Sequence, residues 1–242
     1  MLHRLLLLLA FLPTTFIQAQ KGVYDDLLIL YVDEDYEKCI SKAERYTDMD
    51  DTRRDALPHL YLSMCYHEMS KLEEYTSQDE YKYASRDALK YAVKYRKKDK
   101  NLEFFNNYED YWMELNTVAL ETGLYLMDIG SYSKAKRQFQ RMVGYDPSNP
   151  GAWQMLALCQ LQMNLARDAC ESLKEFGKAF AAVPDIDRLP TDQKRLLLEG
   201  LIRYAEHLDS KGMIDSARTT IALGGDHFAG NPEFESLRKQ LN

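Results

Sequence analysis

Residues Ala119–Pro147 read ALETGLYLMDIGSYSKAKRQFQRMVGYDP. Apolar residues recur at helical spacing on both sides of a polar break at Gly130-Ser131. This predicts helices over Tyr108–Asp128 and Tyr132–Val143. The smallest residue of each expected helix, Gly123 in the first and Ala135 in the second, lies twelve positions from the other. Two helices reach packing distance only where a small residue faces the partner. Phe139 and Tyr132 are large enough to fill the space on either side, and Pro147 falls where a missing N–H costs little.

The pattern returns in the following stretch. Ala157 and Ala169 repeat the pair of small residues, and Ala169 lies 34 residues after Ala135. With Gly123, Tyr132, Ala135, Phe139 and Pro147 placed this way, the chain resembles the tetratricopeptide repeat family, whose unit is a 34-residue pair of antiparallel helices. Trp153, Ala157, Ala169 and Leu173 continue the register, while Ala119 stands where the family usually has Trp. Further matches are Ala205, Gly212, Ala217 and Ile221 near the C-terminus, Leu27, Tyr36, Cys39 and Ala43 near the N-terminus, and Cys65 with Ala88 between them. The resemblance implies an all-α, right-handed helical-repeat solenoid of about five helix pairs over residues 20–242, most regular at 116–183. A last helix, Pro232–Leu241, with Phe234 and Leu237 on one face, reads as the cap over the final pair.

The departures from the repeat locate inserted segments. The small slots of the second unit, Cys65 and Ala88, are 23 residues apart instead of twelve. The excess falls at Ser70–Ser85, as a long loop or as extended helices. Extra residues also precede the third unit (Asn101–Leu115, carrying Phe104, Phe105 and Trp112) and the fifth (Gly177–Pro190). The other helices are expected at Val23–Tyr31, Tyr36–Tyr46, Ala56–Glu74, Glu80–Lys97, Ala152–Met163, Leu165–Ala182, Asp192–Ser210 and Ile214–Leu223. Thr191 is expected to cap the helix that follows it.

The amino terminus has a different grammar. A basic start ending at Arg4 precedes the apolar run Leu5–Leu12, then Pro13 and a polar stretch with a small residue, Ala19. This is the pattern of a secretory signal peptide, residues 1–19; the apolar run is too short to span a bilayer. The alternative is an uncleaved anchor extended by Phe16 and Ile17. Cleavage removes one positive charge and takes the formal net charge from −7 to −8. An acidic, exported chain with no later apolar stretch of spanning length is expected in the periplasm. It is a poor binder of nucleic acid.

Motifs for chemistry are few. The sequence contains no G-x-S-x-G elbow, no H-E-x-x-H helix and no phosphate loop, since Gly224, Gly225 and Gly230 lack the required context. Cys39, Cys65, Cys159 and Cys170 have no metal-ligand spacing, and a 159–170 disulfide is disfavoured by helical rotation. His59 and His67 lie eight apart on one expected helix, with Glu68 directed elsewhere. No enzyme, metal or cofactor is expected. Lys90, Lys94, Lys97 and Lys98 form a basic stripe that either faces solvent or docks an acidic partner.

In the family, helix A of each pair lines the concave surface and holds the partner. Carried over, the candidate partner-binding residues are Leu62, Tyr66 and Met69; Leu120, Leu124 and Met127; and Gln154, Leu158 and Leu161. His59, Asp128, Gly151, Gln162 and Glu206 occupy neighbouring ligand-facing positions. The expected function is a non-enzymatic protein–protein interaction scaffold or adaptor of the cell envelope. A protein or peptide would lie either in an open apolar groove or on a surface partly covered by the insertions. The alternatives are a subunit of an envelope secretion or surface-assembly complex, and a ligand-binding or enzymatic protein on a solenoid scaffold.

Overall fold

The computed structural model describes residues 24–242; the leader lies outside the described residues. Twelve α-helices and no strand occur among them. They are α1 (Asp25–Val32), α2 (Tyr36–Asp48), α3 (Leu57–Met69), α4 (Glu73–Thr76), α5 (Ala84–Lys98), α6 (Glu109–Asp128), α7 (Tyr132–Tyr145), α8 (Pro150–Gln162), α9 (Ala166–Ala181), α10 (Thr191–Ser210), α11 (Ile214–Ala222) and α12 (Pro232–Leu241). None is long and apolar enough to cross a membrane.

Neighbouring helices pack in chain order. α1 lies on α2, α3 on α5, α6 on α7, α8 on α9 and α10 on α11, with α12 against α10 and α11. The small slots are where these pairs close. Cys39, Cys65, Ala88, Ala135, Ala157, Ala169, Ala205 and Ala217 are all buried. A Cβ on Gly123 would stand 2.5 Å from Phe139 Cζ, so this slot admits only glycine without movement. Phe234 and Leu237 of α12 are buried in a cluster with Leu208 of α10 and Ile221 of α11.

Several boundaries differ from expectation. The helix expected over Ala56–Glu74 ends at Met69, and the short α4 follows a turn. The next helix starts at Ala84 rather than Glu80. The excess in the second unit is therefore a long connection, not two longer helices. Thr191 begins α10 after Pro190 instead of capping it. The side chains that do cap helices are Asn149 and Asn231, which accept from the amides of Ala152 (3.3 Å) and Phe234 (2.9 Å).

Three contacts break the simple succession: α5 lies against α7, and α10 lies against α8 and reaches α6. The α8–α10 crossing is close because of glycine. A Cβ on Gly151 would be 2.5 Å from the Leu196 carbonyl carbon and the Leu197 amide nitrogen. Gly200 opens the same contact from the other side, where a Cβ would stand 2.8 Å from Gln154 Oε1. Charged bonds extend the contact to α6: Arg203 pairs with Asp128 at 3.0 Å and Arg195 with Glu121 at 3.2 Å.

Candidate functional site: a cleft between the ends of three helices

The nine candidate partner-binding residues do not form one open stripe. Leu62, Met69, Leu120, Met127, Gln154 and Leu158 are buried, and Tyr66, Leu124 and Leu161 are half-buried. Leu62 and Met69 pack into the cluster shared with α2, beside Leu27, Tyr36 and Cys39. Tyr66 stacks on Tyr91 with ring centres 5.6 Å apart. Leu120 and Leu158 belong to the main core. Gln154 faces Gly200 across the α8–α10 crossing, and neither of its amide atoms has a hydrogen-bond partner. The aromatic insertion is not what covers α8. Its Phe105 stacks on Trp112, which stacks in turn on Tyr95 and Tyr145, whereas α8 is met by α10.

Part of the helix A surface remains accessible. Met127 and Asp128 of α6, Leu158 and Gln162 of α8, and Glu206 of α10 converge on a cleft of ≈360 Å³. The family resemblance implies ligand-facing positions for all five. Register alone did not reveal Arg203 and His207, which join them from the turns of α10 on either side of Glu206. Met127 and Leu158 provide an apolar floor beneath polar walls.

The walls are electrostatically ordered. Burial opposes the charge on Arg203, but the carboxylates of Asp128 (3.0 Å) and Glu199 (3.2 Å) outweigh it and hold its pKa above the ordinary value. Burial raises the Glu206 carboxyl, with Glu233 and Glu199 adding to it against Arg203. Burial, assisted by Lys211, lowers the His207 imidazole. His207 Nδ1 and Gln162 Nε2 lie 3.3 Å apart. With Arg203 already paired, the cleft presents neutral and weakly acidic hydrogen-bonding groups around an apolar floor. Such a lining suits the amides and side chains of an extended segment.

The other sequence candidates are arranged differently. His59 and His67 do not share a site. His67 lies against Tyr111, with Nε2 3.2 Å from Glu114, while His59 stacks on Tyr91. His67, Glu68 and Glu114 do come together, contrary to the expected direction of Glu68. The Lys71 ammonium contacts both carboxylates, at 2.9 and 2.7 Å, and stands where a metal would. Of the basic stripe, Lys94, Lys97 and Lys98 face Arg53, Arg54 and His59 across a cleft of ≈540 Å³. Lys90 instead lies over the Tyr91 ring, 4.9 Å from its centre. All four cysteines are free thiols, with Cys170 alone exposed.

No protein family, curated protein or solved structure matches the chain.

Proposed function

We propose that the chain is an exported, non-enzymatic adaptor of the tetratricopeptide-repeat type, a right-handed solenoid working in the periplasm. It holds a segment of a partner protein in the cleft between α6, α8 and α10. One observation carries this reading. Five ligand-facing positions from three successive units (Met127, Asp128, Leu158, Gln162 and Glu206) line a single open cleft. The resemblance to the repeat family implies ligand-facing positions for them, and α10 packs against α8 and α6 where they lie. The floor is apolar and the walls offer hydrogen bonds, as expected for an extended peptide.

The experiment places a photo-crosslinking residue at Gln162 or Ser210, both exposed at the cleft, and a control at Lys174 on the far helix α9. Each variant is expressed in the producing cell, and the mature N-terminus is sequenced. The expected result is a mature chain beginning at Gln20 and one adduct of the same mass from both cleft positions, absent from Lys174. Equal adducts from all three positions, or none from the cleft, would remove the cleft from the function. An intact leader would replace the cleaved signal peptide with the uncleaved anchor.

A further inference from the structure

The end of α2, the connection to α3 and the last two turns of α5 enclose a cleft of ≈540 Å³, in a chain whose formal net charge is −7. The lining runs against that balance. Arg53 and Arg54 come from the connection and Lys94, Lys97 and Lys98 from α5, against one carboxylate, Asp48. Among the described residues, Arg53 alone of the five cations is paired with a carboxylate, that of Asp50 at 3.3 Å.

The walls are tied to one another. The Lys98 ammonium donates to the Arg53 carbonyl at 2.9 Å and joins α5 to the connection. The hydroxyl of Thr52, next to Arg53, donates to the Tyr46 carbonyl at 2.7 Å and joins the connection to α2. Lys94 lies over the Tyr91 ring, 4.6 Å from its centre. His59, in the first turn of α3, completes the lining. It is 6% exposed, and among the described residues neither ring nitrogen has a hydrogen-bond partner. Nδ1 is sealed from solvent, whereas Nε2 is not. Burial, with Lys94 and Lys98 adding to it, lowers the imidazole pKa to about 4, so the ring is neutral at neutral pH. In its Nε2–H tautomer it is a donor without an acceptor, set in a cationic cleft.

Like charges gathered in one cleft repel one another, and an anion between them removes that cost. The number of cations selects the anion. A carboxylate brings one charge, which a single arginine fork matches. A phosphate group brings about two charges and three acceptor oxygens on one centre. Both residue types of the lining bind it, arginine through paired N–H groups and lysine as a point charge. We propose that this cleft binds a phosphorylated ligand of two or more negative charges, either a free phosphate compound or a phosphate-bearing lipid headgroup. Arg54, Lys94 and Lys97 surround the phosphate, and His59 Nε2 donates to it. The site shares no residue with the adaptor cleft and does not depend on it.

The test titrates the purified full chain by calorimetry, in phosphate-free buffer, with pyrophosphate and with citrate, which carries a comparable charge on carboxylates. Vesicles of phosphatidylcholine with and without phosphatidic acid form the lipid arm. Pyrophosphate should bind one to one, at least about tenfold more tightly than citrate, and should shift the His59 ring resonances. Lys94→Gln/Lys97→Gln should weaken it by about tenfold or more, with unchanged circular dichroism. Lys174→Gln/Lys178→Gln makes the same change of charge on α9 and should leave the affinity unaltered. All four lysines are exposed, so neither double variant threatens the core. Co-sedimentation with the phosphatidic acid vesicles, reversed by pyrophosphate, would point to a headgroup. Pyrophosphate binding without co-sedimentation would point to a free compound, and either supports the site. No binding of pyrophosphate, equal affinity for citrate, or equal loss in the two double variants would overturn the proposal.

Discussion

Gly151 on α8 touches the backbone of Leu196 on α10: a Cβ at Gly151 would stand 2.5 Å from the Leu196 carbonyl carbon. Backbone atoms cannot yield as the end of a side chain can. Gly151→Ala should therefore destabilise the protein by roughly 1–3 kcal/mol, the usual cost of overpacking. Gly177→Ala is the control, since nothing lies within 4 Å of its Cβ on exposed α9. That change should stabilise by roughly 0.5–1 kcal/mol through helix propensity. Urea unfolding of both variants checks the pair, and a neutral Gly151→Ala would refute close contact of the two helices.

Asp192 carries a measurable stability cost. Burial raises the Asp192 carboxyl above the ordinary carboxylate range, against the bond from Asn116 and the amides of the first turn of α10. Because the folded-state pKa is raised, the associated stability is complete below the unfolded value, roughly pH 4, and is lost as the pH rises through the folded value. Asp192→Asn removes that loss. It should raise stability at neutral pH, with the gain shrinking towards pH 4. Thermal melts across this range check it, and a destabilised variant at neutral pH would show that burial of the Asp192 charge is not what costs stability.

His59 has the opposite sign. Burial, helped by the charges of Lys94 and Lys98, lowers its pKa to about 4, and Nδ1 has no partner. A depressed value means that stability is present above the unfolded pKa and is lost as the pH falls towards the folded one. Between neutral pH and about pH 5 the wild type should lose on the order of 2 kcal/mol that His59→Gln does not. Identical acid sensitivity in the two proteins would show that His59 takes up its proton as readily in the folded protein as in the unfolded chain.

The thiols should separate by burial. Cys170 is exposed, whereas Cys39, Cys65 and Cys159 are buried, and burial pushes the Cys159 thiol up to about 12. Under reducing preparation, a chromogenic disulfide reagent should titrate one thiol in the native protein and the other three only in denaturant. A second fast-reacting thiol would mean that one of the buried slots opens.

The helix pairs were legible because they rest on short-range spacing. Gly123 and Ala135, or Ala157 and Ala169, announce a close approach within one helical hairpin, and the structure buries all four. The site was only half legible. The family resemblance pointed to Met127, Leu158, Gln162 and Glu206, which do line one cleft, but it could not show that Gln154 would be buried beneath α10. A residue on the right face of a helix is exposed only if nothing later in the chain covers that face. The signal that was missed is Gly151 with Gly200, two small residues that the repeat register does not require and that allow α8 and α10 to touch.

The sequence by itself determined an all-helical chain, its division into pairs and the position of each insertion. Helical period and small-residue spacing act over one or two turns and need no other part of the molecule. Tertiary structure alone decided that α10 crosses α8 to reach α6. It also decided that Asn116 meets Asp192, 76 residues away, and that two insertions close one pocket. Those contacts depend on which surface is left after every other helix has packed. Local spacing specifies the face that a helix must bury, and only the assembled chain specifies what buries it.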